Sequence, residues 1–365
     1  MCDLTRRALL TTGAAAVVGG TTLGGTALGG TAAAAAPGRA RTVAARRLFF
    51  GRANVAADGR VRPDRVLLSW FGVTSFAMAI GGRVVLLDAW VPRGTYARRV
   101  PVTTGDLVAL RPSHVLLGHG HFDHAADAAP VAAATGAVVV GTPEHCSQVT
   151  AQAAAAGLGP VRTRPLAVPD VGDEAELRLG RRVRVTALRH VHSAVEAPAG
   201  DVPPFLPPPD PTPVLTDPPS LEDGLHTLLH QGDQEGGSLL YRFELGGFSL
   251  TWNDTAGPLR DDPSRVLDRL ARRPRSDVHV GAVQGFGQYT NGLRDPLDYA
   301  EAVRSRVFVP SHHDNWLPPI TAPASAYEQA LREGLAAIPE ARRPALRFVR
   351  DTRDYLDARR LTFRP

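Results

Sequence analysis

Three histidines and an aspartate lie within six residues of this chain, in His119-Gly120-His121-Phe122-Asp123-His124. Imidazole and carboxylate donors without a thiolate suit Zn²⁺, Fe or Mn better than a cysteine-rich structural zinc site. The segment follows a short apolar stretch, residues 115–117, that predicts a buried strand. A loop that leaves a strand is free of helical or sheet periodicity, so it can aim several ligands at one point. The stretch therefore predicts a metal site.

The elements around this segment are those of an α/β protein. Residues 66–80, broken at Gly72, and residues 84–87 predict a hairpin around the Gly81-Gly82 turn. An alanine-rich helix follows the histidine segment and stops at Gly136, before a strand over residues 137–140. Further strands are predicted over residues 183–188, 238–244, 248–252, 278–283 and 306–309. Strands that alternate with helices predict layers of sheet and helix.

The pattern His-x-His-x-Asp-His after a short apolar strand resembles the metal signature of the metallo-β-lactamase superfamily, and the resemblance extends over residues 67–363. Residues 70–76 and 86–90 resemble the opening hairpin of its ascorbate-phosphate-lactonase-like branch, which includes relatives of N-acyl-phosphatidylethanolamine phospholipase D. The resemblance implies an α/β fold, the four-layer αββα sandwich, with metals between the tops of two sheets.

The resemblance also implies ligands after three later strands. His192 matches the third histidine, with His190 as the competing choice. Asn253-Asp254-Thr255 resembles a Gly-Asp-Thr motif, with asparagine in place of glycine. Pro310-x-His selects His312, and His313 could exchange roles with it. The implied ligands of one metal are His119, His121 and His192, those of the second are Asp123, His124 and His312, and Asp254 bridges the two.

The chemistry that the resemblance implies is hydrolysis by a metal-bound hydroxide. Two divalent ions, foremost Zn²⁺ with Fe or Mn as alternatives, would activate water for attack on an ester, lactone or phosphodiester. Asp123 would orient the hydroxide, and His313 could supply a proton to the leaving group. Asp88 is either an acceptor that orients a ligand imidazole or a turn residue at a strand end. The alternatives are a non-catalytic metal-binding protein on the same fold and a nuclease or redox member of the superfamily.

The first 36 residues predict a targeting segment. Arg6-Arg7 precedes a weakly apolar run of Ala, Gly and Thr and resembles a twin-arginine export signal, with small residues at 32–36 for cleavage. We therefore expect export across the cytoplasmic membrane to a secreted or cell-surface location, with no stable membrane span in the mature chain. Residues 37–64 form a lead-in, and residues 65–365 form the hydrolase domain.

The amino-acid composition limits the classes of molecule that the protein is expected to bind. All 41 basic residues are arginine, and 36 are acidic, which gives a net charge of +5. The absence of lysine and the 36 glycines indicate coding bias. No basic cluster is interleaved with aromatic residues, so we expect a small-molecule or lipid-like substrate and no nucleic acid. Cys146 would lack an intramolecular partner once Cys2 is removed, and a buried thiol is predicted.

Residues 197–219 contain ten prolines, which predicts an extended insertion without helix. Its ends follow His192 and precede Asp254, so both should return to the metal site. Its apolar residues suggest a lid over the cleft, and a solvent-exposed insertion is the alternative.

Overall fold

The structure is a computed structural model that describes residues 38–91, 100–194, 205–230, 232–260, 262–284, 291–317 and 321–365. The predicted export signal and residues 197–204 of the proline-rich insertion lie outside these residues.

The first of two seven-stranded sheets is mixed and has the order β14-β1-β2-β3-β4-β5-β6. Its strands are β1 Val66–Trp70, β2 Phe76–Ile80, β3 Arg83–Leu87, β4 His114–Leu116, β5 Val138–Gly141, β6 Arg162–Pro165 and β14 Thr362–Phe363. Pairing is antiparallel from β14 to β3 and parallel from β3 to β6.

The second seven-stranded sheet has the order β13-β12-β11-β10-β9-β8-β7. Its strands are β7 Glu174–Leu179, β8 Val183–His190, β9 Ser238–Leu245, β10 Phe248–Asn253, β11 Val278–Ala282, β12 Val307–Ser311 and β13 Ala345–Leu346. Pairing is antiparallel from β7 to β10 and parallel from β10 to β13.

Helices connect the strands. They are α1 Arg39–Phe50, α2 Thr104–Leu110, α3 Phe122–Ala125, α4 Ala128–Thr135, α5 Pro143–Ala155, α6 Thr212–Thr216, α7 Leu221–Leu229, α8 Val266–Arg272, α9 Arg294–Val303 and α10 Ser325–Ala337, with a 3₁₀ turn at Arg52–Asn54. The helix α5 begins with a capping box in which Thr142 accepts from the His145 amide and the Thr142 amide donates to the His145 ring. Gly136, in the left-handed region, ends α4 as predicted.

One core cluster contains buried side chains from both sheets, so the sheets pack face to face. The strand β2 is buried at every position and so is β10, which is typical of strands covered on both sides. A second cluster, around Leu331 and Tyr327 of α10, lies under Phe308 of β12. This arrangement is the four-layer αββα fold that the sequence predicted.

The proline-rich insertion corrects one prediction. We expected no helix there, but residues 212–216 form the short helix α6, with Pro213 in its first turn, where the missing amide costs no helical hydrogen bond. Phe205 packs against Tyr327, with ring centroids 5.6 Å apart, and the Asp210 amide donates to Thr321 O at 3.2 Å. Leu206 and Leu215 are exposed. These contacts fix the segment against the 315–327 region and leave the lid function a prediction.

Within the part of the chain that the structure describes, no helix combines the length and apolar character needed to cross a membrane.

The buried thiol of Cys146 gives a first test. Burial raises its pKa to about 11, so little thiolate forms near neutral pH. A C2A variant leaves Cys146 as the one thiol of the chain. We expect Cys146 in this variant to react slowly with a thiol reagent in native buffer and completely in guanidinium. Complete native reaction within the mixing time would contradict this burial.

Candidate metal centre

The predicted ligands follow the carboxyl ends of one strand of the first sheet and of three strands of the second sheet that run in the same direction. The histidine segment follows β4, His192 follows β8, Asp254 follows β10 and His312 follows β12. In layered α/β proteins such strand ends form the functional edge of the sheet. The two face-to-face sheets bring all four segments to one point.

The first cluster consists of His119, His121 and His192, whose candidate ligand atoms all lie within 4.8 Å of one another. His119 Nε2 and His121 Nδ1 are 3.0 Å apart. The His192 ring lies 4.6 Å from the His119 ring and 5.0 Å from the His121 ring, centroid to centroid. Three imidazoles that converge in this way match the protein ligands of an open zinc site.

The second cluster consists of Asp123, His124 and His312, again with ligand atoms within 4.8 Å. Asp123 Oδ2 lies 3.4 Å from His124 Nε2 and 3.5 Å from His312 Nε2. Asp123 and His124 lie on the short helix α3, which begins directly after His121. The N-cap residue His121 and the single helical turn that follows it therefore supply ligands to the first and the second cluster, respectively.

Asp254 connects the two clusters. Its Oδ2 lies 2.7 Å from His119 Nδ1 and 3.4 Å from His124 Nδ1. The residue is fully buried, and it comes this close because the loop opposite is glycine. A Cβ atom on Gly118 would lie 2.0 Å from Asp254 Cγ, and one on Gly120 would lie 2.4 Å from Gln234 O. The close approach of these atoms thus requires glycine both at 118, just before the histidine segment, and at 120, within it.

Asp88 orients His124. Asp88 Oδ2 accepts from His124 Nδ1 at 2.8 Å and from Thr74 Oγ1 at 2.6 Å, and its Oδ1 accepts from the Gly118 amide at 3.0 Å. With Nδ1 held in this way, His124 directs Nε2 toward Asp123. Of the two interpretations of Asp88, the geometry favours the acceptor role. Thr74, which the sequence reasoning missed, belongs to the segment 70–76 on which the resemblance rests.

The charges of the site fit divalent cations. Burial, followed by repulsion from Asp88, raises the pKa of Asp254 well above its usual range. Burial lowers the pKa of His119, as do the neighbouring imidazoles. Burial would raise the pKa of Asp123, but His124 and His312 hold it well below its usual range. The Oδ1 atom of Asp254 is buried without a hydrogen-bond partner. Burial would lower the pKa of His124, but Asp123 and Asp88 raise it well above its usual range. Carboxylates and imidazoles buried together are the donor set that Zn²⁺, Fe or Mn binds.

Two histidines point away from the clusters. His190 is bonded to Tyr299 Oη at 2.7 Å, which favours His192 as the ligand. His313 is fully buried, stacks on Trp70 with ring centroids 5.4 Å apart, and donates from Nε2 to Val349 O at 2.8 Å. Burial lowers its pKa to about 4. The ring is enclosed and donates to a backbone oxygen. The structure therefore places His313 in the core, which contradicts its predicted role as proton donor.

A buried aspartate that the sequence reasoning did not single out positions His312. Asp314 accepts from the Val73 amide at 3.1 Å and from Tyr355 Oη at 2.6 Å. Val73 O in turn accepts from the His312 amide at 2.8 Å. Val73 and His312 have φ values of 48° and 56°, a region that side chains other than glycine rarely adopt. The hydrogen bonds that Asp314 accepts hold Val73 in this conformation, and Val73 O in turn holds the backbone of His312.

The asparagine in place of glycine also has a partner. Asn253 Oδ1 accepts from His279 Nε2 at 2.6 Å, and Asn253 Nδ2 donates to Thr255 O at 2.8 Å. The two bonds tie the turn that carries Asp254 to the neighbouring strand β11. Burial lowers the pKa of His279 to about 3, so the ring is neutral and donates from Nε2.

Sequence comparisons find relatives that are described as metal-dependent hydrolases. No family model matches the chain. The chain is 33% identical over 136 residues to a UPF0173 metal-dependent hydrolase of Pyrobaculum islandicum. The match covers 37% of this chain and 55% of the relative. The chain thus spans only about half the length of the Pyrobaculum relative. A UPF0173 metal-dependent hydrolase of an Exiguobacterium species is 24% identical over 274 residues, 74% of this chain and 96% of the relative.

Among solved structures, Igni18, a metallo hydrolase from Ignicoccus hospitalis, superposes with a TM-score of 0.51 at 16% identity. The match covers 78% of this chain and 95% of Igni18. The two proteins thus share the architecture of two mixed sheets between helices, which is the fold that the sequence resemblance implies.

The hydroxyl of Thr74 is expected to tune the second cluster. T74V keeps the side-chain volume but removes the donor to Asp88, so the affinity for a divalent ion at this cluster should fall about 10-fold or more. T74S keeps a hydroxyl and should bind as the wild type does. Competition with a chelator measures the affinity of both variants for the divalent ion. Equal affinity in T74V and T74S would show that the hydroxyl does not matter.

The pair of Asn253 and His279 is expected to stabilise the Asp254 turn. N253A leaves a buried N–H without an acceptor and should lower the free energy of unfolding by about 1–3 kcal/mol. Urea unfolding of N253A, H279F and the double variant forms a cycle. We expect the double variant to lose less unfolding free energy than the sum of the losses in the two single variants. Additive losses would mean that the pair is not coupled.

Proposed function

We propose that the protein is a binuclear metal-dependent hydrolase that acts on an ester, lactone or phosphodiester bond. The observation that carries the proposal is the pair of three-residue clusters joined through Asp254. The similarity to two proteins described as metal-dependent hydrolases supports it.

The chain's residues divide between two ions. His119, His121 and His192 would hold one, and Asp123, His124 and His312 would hold the other, with Asp254 between them. Such ions supply a water of lowered pKa and polarise a carbonyl or phosphoryl oxygen. This chemistry needs no serine or cysteine nucleophile, and the free cysteine of the described residues, Cys146, is buried on α5 and belongs to neither cluster.

Asp123 is the residue most suited to proton handling in the site. Its carboxylate is ionised, because His124 and His312 hold its pKa well below the usual range against the opposing effect of burial. It is also slightly exposed, at 7% of its surface, whereas Asp254 and Asp88 are at 0%. Asp123 can therefore orient a water beside the second cluster, while Asp88 and Asp254 hold imidazoles.

An aromatic wall beside the second cluster supports a substrate with an apolar group. Trp90, Phe122 and Trp316 contact one another with centroid distances of 6.0 Å for Trp90–Phe122 and 5.8 Å for Trp90–Trp316. The Trp316 ring also lies 5.4 Å from the His312 ring. Phe122 and Trp316 are partly exposed, so they offer apolar surface next to the candidate ligands. A carbon-rich group of the substrate would bury part of that surface.

Activity on a panel of chromogenic substrates tests the proposal. The protein is loaded with Zn²⁺, Fe²⁺ or Mn²⁺ and assayed on p-nitrophenyl esters of short and long acyl chains, on a lactone and on bis(p-nitrophenyl) phosphate. We expect turnover of at least one class, and a loss of about 100-fold or more in D123N. Turnover that D123N leaves unchanged would place the reaction elsewhere. Two bound ions with no turnover on any class would favour the non-catalytic metal-binding alternative.

Paired substitutions test the ligand assignment. H192Q and H312Q each remove one imidazole from a cluster, so each should lower the bound metal from two ions per chain to about one. H190Q and H313Q are the matched controls, since those rings bond to Tyr299 and Val349 instead. Elemental mass spectrometry gives the metal content. Metal loss in H190Q or H313Q, with full retention in H192Q and H312Q, would reverse the assignment.

A further inference from the structure

Away from the metal clusters, a cavity of about 260 Å³ is lined by four arginines, Arg332, Arg347, Arg350 and Arg360, and one acidic residue, Glu328. It also includes Val307, the first residue of β12, whereas His312 follows the last residue of the same strand. The cavity therefore lies at the opposite end of the sheet from the candidate metal centre. The proposed function makes no use of it.

The nearby carboxylates are already engaged. Glu328 pairs with Arg332 through Oε1 at 2.6 Å and with Arg350 through Oε2. Burial would raise the pKa of Glu328, but these two arginines lower it, so the carboxylate is ionised. Asp354 holds Arg360 with both oxygens, at 2.9 and 3.0 Å.

Arg347 is left without a counter-charge. Its Nη1 donates to the backbone oxygen of Arg360 at 3.1 Å, and its guanidinium lies 5.0 Å above the Phe363 ring. No carboxylate among the described residues pairs with it. Burial lowers the pKa of Arg347, as does repulsion from Arg360. A half-buried guanidinium beside another guanidinium is costly unless an anion is present.

The arginines are also held in place before any ligand binds. Phe363 supports Arg347, Phe348 lies 5.4 Å below the Arg350 guanidinium, and Arg360 Nη2 donates to Phe348 O at 3.0 Å. Guanidinium groups fixed by stacking lose little entropy on binding, and their planar donor pairs match the oxygens of a phosphate. Four guanidiniums against Glu328 and the adjacent Asp354 leave an excess of two positive charges, which a phosphate dianion would neutralise.

We propose that this cavity is a phosphate-binding site that takes inorganic phosphate or the phosphate group of a small monoester. The volume lies just below the lower limit of about 300 Å³ that is typical of small-molecule pockets, so the cavity suits a phosphate with a small substituent. The proposal is independent of the hydrolase function, since it uses none of the metal ligands.

Isothermal titration of the full chain tests the site with two probes, inorganic phosphate and phenyl phosphate, at constant ionic strength set by chloride. The variant R347Q keeps most of the side-chain volume and removes the charge. The matched control is R342Q, which also removes one arginine but at a residue outside the cavity that pairs with Glu301. Because phosphate could also bind at metal ions, both probes are repeated on H312Q.

We expect saturable binding that falls at least about 10-fold in R347Q, stays unchanged in R342Q and persists in H312Q. Tighter binding of phenyl phosphate would identify a monoester as the ligand, and tighter binding of inorganic phosphate would identify the free ion. Phosphate binding that R347Q leaves intact, or that disappears in H312Q, would overturn the site.

If R347Q does not fold, R347K replaces it. Lysine lacks the planar donor pair of arginine, so R347K should still bind phosphate more weakly than R342Q does. Equal affinities of R347K and R342Q would then overturn the proposal.

Discussion

The burial of Asp254 between two groups of imidazoles is the interaction on which the rest of the site depends. Its carboxylate is removed from solvent, lies 2.7 Å from one ring nitrogen and 3.4 Å from another, and leaves one oxygen unpartnered. Burial of a charge is costly without compensation. The surrounding chain is built to make that placement possible. Gly118 leaves space for the carboxylate, and Asn253 fixes the turn before it.

Compensation for buried charge also explains the outer contacts of the site. Asp88 and Asp314 are fully buried carboxylates that do not lie in either cluster. Each accepts from a backbone amide and a hydroxyl, and each holds a turn that carries a ligand. Asp88 supports His124 within the loops of the first sheet, whereas Asp314 joins the loop after β12 of the second sheet to the turn after β1 of the first. Rigid support of this kind is what a metal site needs in order to select geometry.

Local chemistry was predictable from the sequence, and long-range support was not. The spacing of His119, His121, Asp123 and His124 predicted a convergent set directly after a strand, although Asp123 and His124 lie on the one-turn helix α3 and not on the loop that was expected. The contact between Asp314 and Val73 joins residues 241 positions apart, which no local pattern reveals. His312 and His313 are of one type and adjacent in sequence, so the sequence left both open as the ligand. The structure distinguishes them by the left-handed backbone of His312 and by the hydrogen bond from His313 Nε2 to Val349 O. The edge strand β6 was missed because Arg162–Pro165 is largely exposed and has no apolar alternation. The fold class itself followed from strands that alternate with helices and from the resemblance.

The most direct measurement is anomalous diffraction from crystals of the protein soaked in a zinc salt, collected on both sides of the zinc absorption edge. The structure predicts two anomalous peaks, one beside His119, His121 and His192 and the other beside Asp123, His124 and His312. A single peak, or peaks only at surface histidines, would contradict a binuclear centre built on Asp254.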